Sequence, residues 1–142
     1  MPDDLPSRRS RPVQAAALAQ IARRMGHAAE APWLHGEVAR RMAERLAVVR
    51  LQPRTLVDWC SFNGASQAPL AQAYPQARVL RVETEAGLLQ RGQANGASRW
   101  WSPRRWTGAQ AGWAAPSQLA AEGAELLWAN MMLHLAEDPL VL

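Results

Sequence analysis

Two short apolar runs, each ending at an acidic residue, constrain this chain of 142 residues more than any other feature. The first is Thr55–Asp58, and the second, Arg78–Val82, is followed directly by Glu83. Between them lie a turn of small residues and a helix-length segment that ends at Tyr74. This spacing predicts a strand–helix–strand unit, because parallel neighbouring strands need a crossover connection. Acids at the ends of parallel strands meet at one edge of a sheet, where nucleotide-like cofactors commonly bind.

The rest of the chain continues the alternation of helices and strands. Apolar residues at helical spacing come before the first strand, and a further short apolar run comes near the end of the chain. The pattern predicts an α/β fold with a parallel sheet and crossover helices. The further predicted elements are helices from Val13 to about Met25 (ended by Gly26), from about His35 to Val49, from about Gln67 to Ala73, and from Thr84 to about Gln93; strands at 99–101 and 125–129; a loop at 102–117; and a helix that starts at Asn130.

Positive charge is concentrated in the first third of the chain. All 16 basic residues are Arg; residues 1–54 carry ten of them against five acids, and residues 55–142 carry six against seven. A basic region of this kind favours an anionic partner, although a solvated helix surface gives the same pattern. We divide the chain into a flexible arm at 1–12, a helical region at 13–53 and a sheet domain that begins at 54.

Length and composition exclude several classes of protein. The chain is long enough for one domain, and a hydrophobic content of 49% excludes disorder over most of its length. Its apolar stretches are shorter than the roughly 20 residues that a membrane span needs, and its first residues lack an apolar signal region. We therefore expect a cytoplasmic protein without a membrane segment. Cys60 is the only cysteine, which excludes an intrachain disulfide, and the three histidines show no metal-binding pattern.

Three segments stand in an order and at distances typical of a known family. They are TLVDWCSFNGAS (55–66), ARVLRVETEAGLL (77–89) and ELLWANMMLHLAEDP (125–139). Together they resemble the class I S-adenosylmethionine (SAM)-dependent methyltransferases, and within these the malonyl-acyl-carrier-protein methyltransferases of biotin synthesis. The resemblance implies the N-terminal part of a Rossmann-like sheet with strand order 3-2-1-4, and SAM bound at the carboxyl ends of the strands. The cofactor-binding residues that it implies are Asp58, Gly64, Glu83 and Asn130.

The turn after the first strand departs from the pattern of that family. Where the family has three alternating glycines after the acid, this chain has Cys60, Phe62 and Gly64. A side chain at such a position fills the space of the ligand or strains a left-handed backbone. We therefore expect Phe62 to pack in the crevice and SAM binding to be weak or lost, as in an inactive relative or a regulatory subunit. In addition, Ala109 stands where the family has an acid that holds the adenine amino group.

An active methyltransferase with a rebuilt turn is the alternative interpretation. The resemblance then implies methyl transfer from SAM to a carboxylate carried on acyl carrier protein. Such a carboxylate is already nucleophilic, so positioning is sufficient and no catalytic side chain is required. The basic helices before residue 54 suit an acidic carrier protein as the partner.

Two other features bear on partners. Clustered Trp and Arg side chains after residue 98 are also found in nucleic-acid-binding modules, although anchoring of a loop explains them more simply. The chain ends at Leu142, just after the fourth strand. We expect that strand to be an exposed edge, through which copies of the chain can associate. The clustered residues are Arg99, Trp100, Trp101, Arg104, Arg105, Trp106 and Trp113.

Overall fold

The structure, a computed structural model, describes residues 15–62, 64–97, 112–119 and 123–135. Its elements in chain order are α1 (Ala15–His27), α2 (Trp33–Leu46), β1 (Thr55–Trp59), α3 (Gln67–Ala73), β2 (Arg78–Val82), α4 (Ala86–Ala97), β3 (Gly112–Ala114), a 3-10 turn (Pro116–Gln118), β4 (Leu126–Ala129) and a second 3-10 turn (Leu133–Leu135). The strands form one parallel sheet in the order β3-β2-β1-β4. The predicted α/β class and strand order are confirmed.

The main core lies between β1, at the centre of the sheet, and the helices on one face. Leu56 of β1 is 1% exposed and packs in a cluster with Ala39 of α2, Leu70 of α3 and Trp128 of β4. The indole N–H of Trp128 donates a hydrogen bond of 2.8 Å to the hydroxyl of Ser66, which fixes the orientation of the ring. Because α2 contributes to this core, it packs as part of the sheet domain and not as a separate unit.

The exposed face of α2 neutralises much of its own charge. Glu37 pairs with both Arg40 and Arg41, and Arg40 also pairs with Glu44. The hydrogen bonds from Arg40 and Arg41 lower the pKa of Glu37 to about 2. Exposed pairs of this kind add little to stability. They nevertheless leave α2 less positive than its number of arginines indicates.

The third strand lies in a segment that the sequence predicts to be a loop. β3 pairs with β2, with Trp113 beside Arg81, so the loop prediction is wrong at residues 112–114. The strand predicted at 99–101 lies outside the described residues. Three residues are too few to show the alternation by which a strand is predicted. The strand is stabilised instead by its pairing with β2 and by packing of the Trp113 ring, which lies against Gly92 of α4.

Two helices contain an internal glycine, and the first of these glycines, Gly26, was predicted to end its helix. α1 includes Gly26, and α4 includes Gly92. A glycine inside a helix costs only about 1 kcal/mol, which tertiary contacts can offset. At the end of α1, the guanidinium of Arg91 donates to the carbonyls of Gly26 and Ala28. In α4, Gly92 has no side chain, and this leaves room for the Trp113 ring.

The segment after β4 does not begin the α-helix predicted from Asn130. Met131 has a left-handed backbone with φ of 53°, and only the second 3-10 turn follows in the described part of the chain. β4 is the outermost described strand on its side of the sheet, and its Leu127 is 63% exposed. Over the described ranges, no helix combines the length and the apolar content needed to cross a membrane.

Candidate functional site

The turn after β1 has an unusual backbone for its sequence. Cys60, Phe62 and Gly64 all have positive φ, at 53°, 44° and 80°. These are the three positions where the glycine pattern of the methyltransferases has glycine. A left-handed conformation costs a residue with a side chain roughly 1–2 kcal/mol, so Cys60 and Phe62 are strained where Gly64 is not. The turn therefore has a backbone suited to glycine, although two of these three positions carry side chains.

The Phe62 side chain points inward at the carboxyl ends of the strands. It is 6% exposed and packs in a cluster with Cys60, Leu88 and Met132. The ring of His35, from α2, meets the Phe62 ring edge-on, with their centroids 5.0 Å apart and their planes at 75°. Edge-to-face ring pairs contribute about 0.5–1.5 kcal/mol beyond burial. Phe62 is therefore held from several sides.

A cavity of about 240 Å³ remains between α1 and this end of the sheet. One wall comes from α1, and the opposite wall comes from the turn after β1 and from the segment that joins β2 to α4. Glu83, at the end of β2, lines the cavity and is only 2% exposed. The residues around the cavity are Leu18, Ala19, Ala22, Trp59, Cys60, Phe62, Glu83, Thr84, Glu85, Leu88, Met132 and Leu135.

Of the four cofactor-binding residues implied by the resemblance, Glu83 alone lines this cavity. Asp58 is 1% exposed and lies on the core side of β1, beside Arg81 and Trp128 in the sheet. Gly64 forms the end of the turn. Asn130 is buried, and its amide N–H donates a hydrogen bond of 2.8 Å to the carbonyl of His35, which joins the end of β4 to α2.

Burial decides the protonation of Asp58. In the described part of the chain no group makes a hydrogen bond of good geometry to either carboxylate oxygen. Loss of hydration raises the pKa of Asp58 to about 6, and the nearby Ser61 hydroxyl and Arg81 only partly oppose the rise. Within the described residues, the Asp58 carboxylate therefore makes no hydrogen bond to the backbone amides of the turn.

The Cys60 thiol and the His35 ring are in their neutral forms. Burial, and next the charge of Glu83, raise the pKa of the Cys60 thiol to about 11. A thiol of this kind is a poor nucleophile, because the thiolate is the reactive form. Burial, and next the neighbouring His134, lower the pKa of His35. Neither side chain is prepared for chemistry at neutral pH.

The sequence pattern alone does not assign His35, Trp59 or Glu85 to this site. His35 shares the apolar face of α2 with Ala39 and Met42, a spacing that signals its burial but not its contact with Phe62. Trp59 comes one residue after Asp58 and Glu85 comes two residues after Glu83, so both could have been found by extending the search beyond each acid.

A comparison with curated proteins gives one informative match. The chain is 32% identical over 108 residues to a malonyl-[acyl-carrier protein] O-methyltransferase of Gallionella capsiferriformans (strain ES-2). No protein-family model matches the chain. The strand order of the sheet agrees with the match. The chain is related to the methyltransferases. The aligned segment makes up 74% of this methyltransferase-related chain but only 37% of its relative, so the chain spans little more than a third of that protein.

Proposed function

We propose that this chain is a methyltransferase-related protein that does not hold SAM, and that it acts as a pseudoenzyme or regulatory subunit linked to biotin synthesis. The observation that carries the proposal is the buried Phe62 ring in the crevice at the strand ends. The methyltransferase family generally uses SAM, and the name of the relative supplies the link to a carrier-protein substrate. An inactive relative can retain the scaffold and its partner while losing the cofactor.

The size of the cavity supports the loss of SAM binding. Pockets for ligands of that size usually measure about 300–1,000 Å³. The cavity here measures about 240 Å³, with the Phe62 ring and the side chains of α1 as its walls. The residues present therefore do not fit the complete cofactor, and we derive no reaction step through it.

The cost of opening the crevice can be set against the affinity of a typical cofactor. Exposing a buried aromatic side chain costs about 1.5–3 kcal/mol, and losing its edge-on ring contact adds about 0.5–1.5 kcal/mol. A micromolar ligand binds with about −8 kcal/mol. Subtracting the two costs, together about 2–4.5 kcal/mol, leaves a dissociation constant between about 30 μM and about 2 mM.

Isothermal titration with SAM tests the proposal on matched variants. Wild type is expected to bind with a dissociation constant of about 30 μM or weaker, and Phe62→Gly with Cys60→Gly is expected to bind at least tenfold more tightly. The paired substitution removes the ring and relieves both strained backbone positions. Met132→Ala is the control, because it enlarges the same cluster without changing the turn. Micromolar binding by wild type would contradict the proposal.

The alternative, an active methyltransferase, is favoured by one observation. Glu83 lies at the end of β2 and lines the cavity, where an acid can accept hydrogen bonds from ribose hydroxyls. The same titration separates the two functions, because an active enzyme requires wild type to bind SAM. A chain that binds SAM at micromolar concentration should then be assayed for methyl transfer to malonyl-acyl carrier protein.

We also propose acyl carrier protein as the partner of the basic N-terminal region. Arg23, Arg24 and His27 line an open groove of about 640 Å³ on α1. α1 carries no acidic residue, so its arginines are not neutralised within their own helix as those of α2 are. An acidic partner gains on-rate from such a surface.

Binding of holo-acyl carrier protein at two salt concentrations tests this partner. Arg23→Gln with Arg24→Gln is expected to weaken binding about tenfold at low salt and less at high salt, because salt screens exposed charges. Arg78→Gln is the control, since this exposed Arg of β2 lies outside the groove. An equal effect of the control would show that net charge alone is responsible.

A further inference from the structure

The cavity beside α1 has polar residues on one side and is apolar elsewhere. Its polar lining residues are consecutive, namely Glu83, Thr84 and Glu85, and they lie in the segment that joins β2 to α4. The other described lining residues are apolar, with the protonated thiol of Cys60 acting as a small hydrophobic group. They come from α1, β1 and the turn after it, α4 and the segment after β4. Polar groups are therefore confined to one side of the cavity.

This distribution selects for an uncharged ligand with an apolar body and one polar end. An ion loses much free energy on leaving water unless it is paired, whereas an apolar group gains free energy in proportion to the surface that it buries. A hydroxyl group can donate to a carboxylate or accept from a carboxylic acid. It therefore suits the polar side of the cavity in either protonation state of Glu83.

The volume of the cavity sets the size of the apolar body. A cavity of about 150 Å³ with apolar walls is large enough to bind benzene. At roughly 30 Å³ for each methylene, about the volume of a water molecule in the liquid, 240 Å³ corresponds to about eight carbons. We propose that this cavity is a binding site for a small aliphatic alcohol or ester of up to about eight carbons. The proposal rests on the proposed function in one respect, since it requires Phe62 to stay in the crevice.

Access to the cavity is explained by the packing of α1. Leu18 and Ala22, which line the cavity, are half-buried, and no described side chain of α1 is fully buried. By contrast, α2 buries His35 and Ala39. An element with few buried contacts opens locally at a low cost in free energy. We therefore expect α1 to move aside when the ligand enters and to be stabilised when the ligand is bound.

A series of unbranched alcohols tests the proposal in the wild-type protein. Phe62 lines the cavity and is the only phenylalanine of the chain, so isotope labelling of phenylalanine gives one ring signal at the site. Octan-1-ol is expected to shift that signal with a dissociation constant of about 1 mM or lower. From butan-1-ol to octan-1-ol the affinity should rise about threefold for each methylene, and it should stop rising beyond about eight carbons. Saturating octan-1-ol should also slow amide exchange in α1.

A matched pair of variants on α1 assigns the binding to the cavity. Ala22→Leu places extra carbons in the cavity, and it is expected to weaken octan-1-ol binding at least tenfold while changing butan-1-ol binding little. Ala17→Leu makes the same substitution at an exposed position of α1 outside the cavity, and it is expected to bind like wild type.

The same chemistry can come from a free alcohol or ester or from an acyl chain carried as a thioester. Octanoyl-acyl carrier protein, compared with the holo form, distinguishes the two sources. A shift of the Phe62 signal that requires the octanoyl group identifies a carried chain as a ligand, and a shift with octan-1-ol alone identifies a free one.

Three outcomes would overturn the inference. The first is an unchanged Phe62 signal at about 1 mM octan-1-ol, and the second is an affinity that keeps rising with the same increment up to dodecan-1-ol, as at an open apolar surface. The third is an equal loss of binding in the two leucine variants. The first two are measured in wild type, so they do not depend on the folding of any variant. Failure of the proposed function is a separate result, because it appears as micromolar binding of SAM in its own titration.

Discussion

At the scale of single residues, the most unusual feature is that Cys60 and Phe62 carry side chains at backbone positions suited to glycine. The left-handed backbone at Cys60 and Phe62 is destabilising by itself, and burial of both side chains offsets the strain. The substitution of glycine was visible in the sequence, and so was the prediction that Phe62 packs in the crevice. The contact with His35 was not, because it joins residues 27 positions apart through the packing of α2 on the sheet.

Asp58→Asn is expected to stabilise the protein at neutral pH. Burial raises the pKa of Asp58 to about 6 from an ordinary value of 3.8, so ionisation is less favourable in the folded state. The cost is therefore full above pH 6 and disappears as the pH falls below 4. We expect a gain of up to about 3 kcal/mol in the free energy of unfolding at pH 7.5 and almost none at pH 4.

Urea unfolding of both proteins at the two pH values measures that gain. Titration of His35 has the opposite sign, because its lowered pKa reduces stability as the pH falls below about 6.5. Its contribution is present in both proteins and cancels in the difference. An Asn variant that is less stable than wild type at pH 7.5 would show that the carboxylate has a stabilising partner.

At the scale of elements, the sequence pattern was sufficient to predict the bounds of helices and strands that are long enough to show a regular spacing of apolar residues. α3 and β2 have the predicted bounds, and β1 and β4 each differ by one residue at one end. β3 could not be predicted, because a strand of three residues exists only through its pairing with β2 and the packing of Trp113. Within the described residues no α-helix begins at Asn130, because Met131 has a left-handed backbone with φ of 53°.

Two glycines of α4 should respond to alanine in opposite directions. A Cβ at Gly92 would lie 2.4 Å from a ring atom of Trp113, whereas one at Gly87 would come no closer than 3.9 Å to Glu85. Gly92→Ala is expected to lower the free energy of unfolding by about 1–3 kcal/mol. Gly87→Ala is expected to raise it by about 0.5–1 kcal/mol, because alanine favours the helix. Thermal and urea unfolding would contradict this if both variants changed in the same direction.

At the scale of the whole molecule, α1 closes the crevice that the sheet forms. Its side chains provide one wall of the cavity, and its carboxyl end is held by the Arg91 guanidinium from α4. The resemblance of the sequence to methyltransferases predicted where the crevice lies. It did not predict that α1 covers it, because the helical spacing of α1 identifies an apolar face but not the surface that this face contacts.

Arg91→Met is expected to loosen α1 and leave the sheet intact. The substitution keeps much of the side-chain length and removes the hydrogen bonds to the carbonyls of Gly26 and Ala28. Amide hydrogen exchange in α1 should become at least tenfold faster, while exchange in β1 and β2 should not change. Arg78→Met, on the exposed end of β2, is the control. Faster exchange throughout the sheet would show that Arg91 supports the whole domain and not α1 in particular.

The ring signal of Phe62, the chain's only phenylalanine, tests the central claim most directly. In protein labelled at phenylalanine, nuclear Overhauser contacts are expected from that ring to Leu88 and Met132, and they should persist as SAM is added up to about 10 μM. A ring that loses these contacts and becomes exposed as SAM is added at micromolar concentration would contradict the account.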